Sequence, residues 1–380
     1  MATEVSEFTK AGQWAQINEV VKNAKHVRLN MPRLHAVAER IPASIATNWI
    51  DAFRNTEEHY RAAPIVELND LEFIQYAFVF GTQGWLIWEW TSERRAQPID
   101  AVIDGVHYVG SFSMAAFHAR SARKWQEGTG KNYLDPQVLA SLTLEDVKEH
   151  YTDDNGKQSV MMLERRLENF REVGRVLLRD FDGHFINMLK RTDGFLFRED
   201  GSGLVQLMQT KFPSSWLDWP MAKLPNVLPL GLSDLRTRRT FAPEIDRLLN
   251  FRDFENIEGG ADYYRPWFFV RVGIFDISDE FKRRLLNDEL IDPGSDIEQE
   301  FRAFTLVALR KLAELTGGWP QALAALEVET HAVAFLHCRR HKIGMTEAEL
   351  SCAYRGVCKA VNDDQDLMGA GWPLVMTNHY

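Results

Sequence analysis

"SVMMLERRLENFREVGRVLLRDF", residues 159–181, is the stretch that decides the fold class. Leu163, Leu167, Phe170, Gly174 and Leu177 recur at steps of four, three, four and three, which lines up one face of an α-helix. Glu164, Arg165, Glu168, Arg171 and Arg175 fall on the other face and read as a solvated surface laced with local ion pairs. Similar periodicity predicts helices in "AGQWAQINEVVKNAKHVRLN", "MPRLHAVAERIP", "SIATNWIDAFRN", "EFRAFTLVALRKLAELTGG" and "WPQALAALEVETHAVAFLHCRRH". "GSGLVQLMQTKFPSSW" reads as a shorter helix stopped before Pro213.

The texture changes between about residues 85 and 109. "FIQYAFVFGTQGWLIWEW" is aromatic and β-branched, and "DAVIDGVHYVGSF" sets an Asp-Gly pair between two short apolar runs, the signature of a β-hairpin. Residues 214–260 are rich in Pro, Gly and charge, so they are expected to be irregular and to supply loops that line a site. The sum is a mainly α chain, α+β at most, with a small antiparallel sheet. No internal repeat or low-complexity tract interrupts it, and a single compact domain over 1–380 is expected, opening with a helical part over 1–70.

Composition narrows the function. With 45% hydrophobic and 26% charged residues the 380-residue chain has the balance of a soluble globular protein. A formal net charge of −10 argues against a general nucleic-acid or anionic-membrane surface, which needs a basic face to neutralise phosphates. The basic run "ARSARKW", residues 119–125, is therefore read as a solvated helix face. No apolar stretch has the length of a membrane span, and no secretory leader is expected from "MATEVSEFTKAGQW". Three cysteines, Cys338, Cys352 and Cys358, suit a reducing compartment, by default the cytoplasm, with the nucleus as the alternative.

The common motifs of chemistry are missing. There is no G-x-G-x-x-G after a strand, no P-loop, no G-x-S-x-G and no H-E-x-x-H, so no nucleotide cofactor is expected. His337, Cys338, His341 and Cys352 form an irregular set that reads as the basic end of a helix rather than a zinc site, so no metal is expected. What stands out is "IEGGADYYRPWFF", residues 257–269. Two glycines and Pro266 bend a stretch that sets Asp262 among Tyr263, Tyr264, Trp267, Phe268 and Phe269. A buried ionised carboxylate is costly unless it is paired or used. Asp262 is thus either a hydrogen-bonded turn residue or a working acid in an aromatic pocket.

Several segments, taken in order from about residue 75 to residue 330, resemble the queuosine salvage proteins, queuosine 5'-phosphate N-glycosylases. "DGVHYVGSFSMAAFHARSARKWQEG" looks like the family's strand pair leading into a Gly-aromatic-aromatic-Ser helix. "REVGRVLLRDFDGHFINMLK" is similar to its Glu-Val-Gly-Arg-Val-Leu run, acidic-Gly turn and Phe-x-Asn helix. "GLVQLMQTKFPSSW" resembles its helix ending in Phe-Pro, and "SDIEQEFRAFTLVALRKL" its Glu-Ile-Arg helix. "GGADYYRPWFFVRVGIFDISDEFKRRLLND" is similar to its Ala-Asp-Tyr-Arg segment. The chain also departs from the pattern. Leu86-Ile87-Trp88-Glu89-Trp90 stands where the family has Asn-Phe-x-Phe-Trp, with Trp90 as the matching aromatic. Asn226 and Val227 stand in place of a Lys-Arg pair, with Lys223 nearby as a substitute, and "NVLPLGLSDL" matches at its end, giving Asp234. The arginine of Ala-Asp-Tyr-Arg falls one place later, at Arg265, and the family's Leu-Trp-Asp helix is absent from the divergent part at 331–380.

The resemblance implies a helical DNA-glycosylase-like core. It also implies hydrolysis of the N-glycosidic bond of queuosine 5'-phosphate to queuine and ribose 5-phosphate, within queuosine salvage and tRNA modification. The partner is then a small-molecule nucleotide or nucleoside, with no metal or cofactor. The base is a 7-deazapurine, so it cannot be activated by protonation at position 7. More of the barrier must fall through stabilising positive charge on the ribose and activating water, work suited to a carboxylate. Asp262 matches the family's aspartate and is the candidate. Asp234 is assigned to base-edge hydrogen bonding or orientation. Arg265 either holds the phosphate or pairs with Asp262. Trp90, Phe112, Tyr263 and Trp267 are candidates for stacking on the base, and at least two of the four are expected to be ordinary core. The alternative function is a catalytically altered relative that binds a nucleoside-like or other heterocyclic molecule without hydrolysing it, or acts on a different substrate.

Overall fold

The computed structural model describes residues 8–41, 67–93, 95–236, 239–317, 323, 326 and 354–380. The predicted helix over "SIATNWIDAFRN" and the His337, Cys338, His341 and Cys352 set lie outside these residues, as does most of the helix predicted from Trp319. The architecture is mainly α: helices carry both compact units, and the sheets among the described residues are two-stranded. Three of the described pairs are antiparallel, and one, Leu290–Ile291 with Leu374–Val375, is parallel. Among the described residues no helix is long and apolar enough to cross a membrane.

One unit comprises Met1–Lys10, Glu57–Ile257 and Asn378–Tyr380. Its spine is the helix Leu163–Asp180, where the apolar stripe at Leu167, Phe170, Val173 and Leu177 is buried and Glu164 and Arg175 are exposed. Gly174 lies in that stripe because another helix, Pro136–Ser141, crosses against it. A Cβ on Gly174 would sit 2.5 Å from both Ala140 N and Pro136 O, backbone atoms that cannot step aside. The core beside it is aromatic: Phe78 stacks on Phe185 at 4.2 Å and meets Phe212 and Trp216 at 5.2 and 5.5 Å.

The Asp-Gly hairpin forms as its residues dictate. Asp100–Ile103 pairs with Val106–Val109, Ile103 faces Val106, and Asp104 and Gly105 take φ of +51° and +76°, both left-handed. A second hairpin, Trp88–Trp90 with Ala96–Pro98, precedes it. The expectation of irregular chain over 214–260 is corrected. Lys223–Arg236 is a 14-residue helix despite an internal Pro229, and Pro243–Leu249 is another. Burial of Leu224, Leu228, Leu230 and Leu232 outweighs the hydrogen bond lost to the proline.

The basic run 119–125 is also corrected. It lies on the helix Ser111–Gln126, but Arg120 is buried and donates to the carbonyls of His150 and Thr152 at 3.0 and 2.7 Å. Beside it lies a chain of polar groups. Ser121 Oγ is 2.6 Å from His150 Nδ1, and His150 Nε2 is 2.9 Å from His118 Nδ1, with Phe80 stacked on His118 at 3.8 Å. With both rings neutral, the chain runs either from Ser121 through His150 to His118 or in the reverse direction, each ring donating from one nitrogen and accepting at the other. Burial, then the charge of Arg120, pushes His150 down to about 3, and burial, then its neighbour His150, lowers His118.

The other unit comprises Ala11–Thr56 and Glu258–Thr377. Its organising element is the helix Asp296–Leu315, capped by Ser295, whose hydroxyl accepts from Glu298 N. From this helix Glu300 accepts the backbone N–H groups of Lys25, His26 and Val27 at 2.9, 2.6 and 2.9 Å. This turns the chain out of the helix Lys10–Asn23 and into the strand Val27–Leu29, which pairs with Phe275–Ile277. The helix predicted to run through "HVRLN" therefore ends at Asn23.

Two predictions follow from packing and burial. Gly174→Ala should lower stability by about 1–3 kcal/mol, because overpacking forces backbone shifts; an unchanged urea midpoint would contradict the close approach. For the histidines, both folded-state values lie below the unfolded value, so the unfolded chain binds more protons as pH falls through the ordinary histidine range. Their contribution is complete above about pH 6.5 and is lost progressively toward the folded values. Unfolding in urea should show a loss of about 2 kcal/mol from His150 between pH 6.5 and pH 5, with a further loss of the same sign from His118, and His150→Gln should flatten that slope.

Candidate active site

In the second unit the "IEGGAD" segment is held down by charge. Glu258, fully buried, accepts from Trp14 Nε1 at 2.8 Å and from Arg310 Nε at 2.9 Å, with Arg310 Nη2 also on the carboxylate. Arg302, four residues beyond its partner Glu298, donates from Nε to Ala261 O at 3.0 Å. Two arginines of one helix thus fix the chain just before Asp262.

Asp262 is 4% exposed. Its Oδ1 accepts from Tyr264 N at 2.9 Å and Arg265 N at 3.4 Å, so it caps the helix Tyr264–Val272. A negative charge at that end also meets the positive end of the helix dipole. Its Oδ2 lies 2.6 Å from Arg265 Nη1, and Arg265 is 3% exposed. Of the two roles that the sequence leaves open for Arg265, the ion pair is the one seen. Pro266 falls in the first turn of this helix, where a missing N–H costs nothing. Two N–H groups and a guanidinium thus surround a carboxylate that is almost without solvent.

The aromatics around Asp262 form a cluster. Tyr263 meets Tyr264 at 4.6 Å and Trp372 at 6.1 Å. Trp267, fully buried, packs edge-on to Trp372 at 5.4 Å and donates Nε1–H to Ala370 O at 2.8 Å. With its polar atom used and its surface covered, Trp267 has the environment of a core residue. Trp372 has no precursor in the sequence reasoning, because it comes from a segment about a hundred residues downstream with no local pattern.

The remaining candidates belong to the first unit. Lys223 starts the helix Lys223–Arg236 and is 9% exposed. Its backbone N–H donates to Asp218 Oδ2 at 2.9 Å, and its Nζ donates to Gly84 O at 3.3 Å. Asp218 N donates in turn to Gln209 Oε1 at 3.2 Å, so the turn into the helix is tied at both ends. Ala222, just before Lys223, sits at φ +49°, a left-handed conformation that turns the chain into the helix. Asn226, buried one turn on, donates to Ala222 O at 2.7 Å. Asp234 falls late in the same helix, and its side chain lies outside the described residues. Trp90 is half-buried at the end of the strand Trp88–Trp90, edge-on to Trp88 at 5.1 Å. Phe112 is half-buried in the first turn of Ser111–Gln126.

A residue without any sequence signal stands behind Lys223. Arg166 is fully buried on the Leu163–Asp180 helix and stacks over Trp85 at 3.9 Å. A separate small cleft of about 40 Å³ is lined by Arg120, Lys124, Lys131, Asp146 and Glu149 among others. Lys131 pairs there with Asp146 at 2.7 Å, so acids and bases offset one another. Among the described residues no group of acids, histidines and cysteines has the arrangement of a metal site.

Comparison with known proteins adds to this geometry. Residues 66–335 match the family described as queuosine salvage protein. Three curated relatives carry the name queuosine 5'-phosphate N-glycosylase/hydrolase. The one from Schizosaccharomyces pombe is 27% identical over 158 residues, 41% of this chain and 44% of that protein. Those from Bos taurus and Mus musculus are 24% and 23% identical, over 63% and 76% of this chain and 67% and 79% of theirs. The alignment thus spans less than half of the Schizosaccharomyces pombe relative and two thirds or more of the other two. The chain belongs to the queuosine salvage protein family.

Proposed function

We propose that this protein hydrolyses the N-glycosidic bond of queuosine 5'-phosphate, releasing queuine and ribose 5-phosphate. The observation that carries the reading is Asp262: a carboxylate buried to 4% exposure and bound by two N–H groups and Arg265, in the segment similar to the family's Ala-Asp-Tyr. The substrate in this reading is the one for which the relatives are named.

The reaction breaks the bond from C1' to the base nitrogen and forms a bond from C1' to a water oxygen. The water gives up one proton, and the departing nitrogen takes one up. As the base leaves, positive charge gathers on the ribose. A fixed anion in a site that excludes water stabilises that charge without reorganising. In this reading the role of Asp262 is electrostatic first, with orientation of the attacking water second. By the resemblance, Lys223, Trp90, Phe112 and Asp234 of the first unit and Tyr263 of the second are assigned to substrate binding, each within its own unit. The low cysteine count supports a cytoplasmic setting.

Asp262→Asn keeps an acceptor for the Tyr264 and Arg265 N–H groups but leaves the buried guanidinium without its anion. Stability should fall by about 3–5 kcal/mol. Release of queuine, followed by chromatography below the variant's melting temperature, should drop by about 10²–10³-fold or more. An Asn variant with wild-type turnover would remove Asp262 from the reaction. Wild-type protein that binds queuosine 5'-phosphate without releasing base would favour the binding-protein alternative.

A further inference from the structure

The segment from Gln83 to Leu86 has an unusual set of partners. Arg166 Nη1 donates to Gln83 O at 2.9 Å, and Nη2 donates to Trp85 O at 2.8 Å and Leu86 O at 3.4 Å. Its Nε donates to Met161 O at 3.0 Å, tying the fork to its own helix start. The carbonyl that Arg166 skips, Gly84 O, accepts from Lys223 Nζ at 3.3 Å. Other bonds hold the same four residues. Trp85 Nε1 donates to Thr82 O at 2.7 Å, and Leu86, at φ +48°, donates its N–H to Tyr380 O at 3.0 Å.

A fully buried guanidinium is retained only where its donors are met, and here backbone carbonyls meet them. This arrangement directs the carbonyls of residues 83, 85 and 86 to Arg166 and leaves that of residue 84 for the lysine. Lys alone would make a poor substitute for Arg166, since an ammonium lacks the planar fork that spans several carbonyls.

We propose that Arg166 is a positioning residue for the reaction: by fixing the carbonyls of residues 83–86 it sets where Gly84 O holds the Lys223 ammonium. The proposal rests on the reading of Lys223 as a residue of the substrate site. Displacement of a working group by about 1 Å costs on the order of 10²-fold in rate, so an effect on kcat should appear beyond any change in stability.

The test measures queuine release from queuosine 5'-phosphate by the full chain carrying Arg166→Lys, Lys223→Gln, or both, with melting temperatures recorded for each. Arg166→Lys should lower kcat by about 10–100-fold with KM changed less than threefold or so. In the Lys223→Gln background the same substitution should cost less than about twofold, because the group it positions is gone. Losses that multiply, or an Arg166→Lys variant with wild-type kcat, would overturn the proposal. Should Arg166→Lys not fold, Trp85→Phe loosens the same segment through the lost bond to Thr82 O, and the same dependence on Lys223 decides the matter. A Lys223→Gln variant with wild-type turnover would instead sink the role of Lys223 itself, whatever Arg166 does.

Discussion

The pairing of Asp262 with Arg265, both almost without solvent, is the constraint from which the rest of the account follows. Neither charge survives burial alone; removing one partner of such a pair costs about 3–5 kcal/mol. The pair also needs a chain that enters the helix Tyr264–Val272 at one angle. The helix Asp296–Leu315 provides that angle by holding Glu258 through Arg310 and Ala261 O through Arg302. The same helix, through Glu300, turns the chain at residues 25–27. A helix of ordinary amphipathic appearance thus spends its buried charges on backbone groups of two distant segments.

The first unit solves a parallel problem with a buried cation. Arg166 organises carbonyls of an irregular segment, and Glu172 on the same helix accepts the N–H groups of Ser214 and Ser215 at 2.8 Å each. Buried polar groups of this kind contribute little net stability compared with apolar packing, yet they fix backbone geometry that apolar contacts leave free. In both units the candidate residues, Asp262 just before one helix and Lys223 at the start of another, lie where the entry into a helix is tied by side chains. That is a physical reason for their low exposure.

How much of this the sequence carried can be traced residue by residue. The Leu163–Asp180 helix was legible because its stripe keeps helical spacing, and the 100–109 hairpin because Asp104-Gly105 is suited to two left-handed residues. Lys223–Arg236 was not, since Pro229 and Gly231 oppose helix locally and burial of the leucines decides otherwise. Arg120 and Arg166 were illegible for a shared reason: a charge reads as surface until the carbonyls that bind it come in from elsewhere in the chain. The local pattern around Asp262 gave two readings, turn residue and working acid. The cap and ion pair realise the first, and the second is the role proposed for the same carboxylate.

The central claim is that a fixed, buried carboxylate lowers the barrier by stabilising positive charge at the anomeric carbon. The secondary deuterium isotope effect on base release, with queuosine 5'-phosphate labelled at C1' and the wild-type chain under conditions where chemistry limits turnover, tests it most directly. The account predicts a normal effect clearly above unity, since C1' flattens toward an oxocarbenium as the base departs. An effect at or below unity would contradict it.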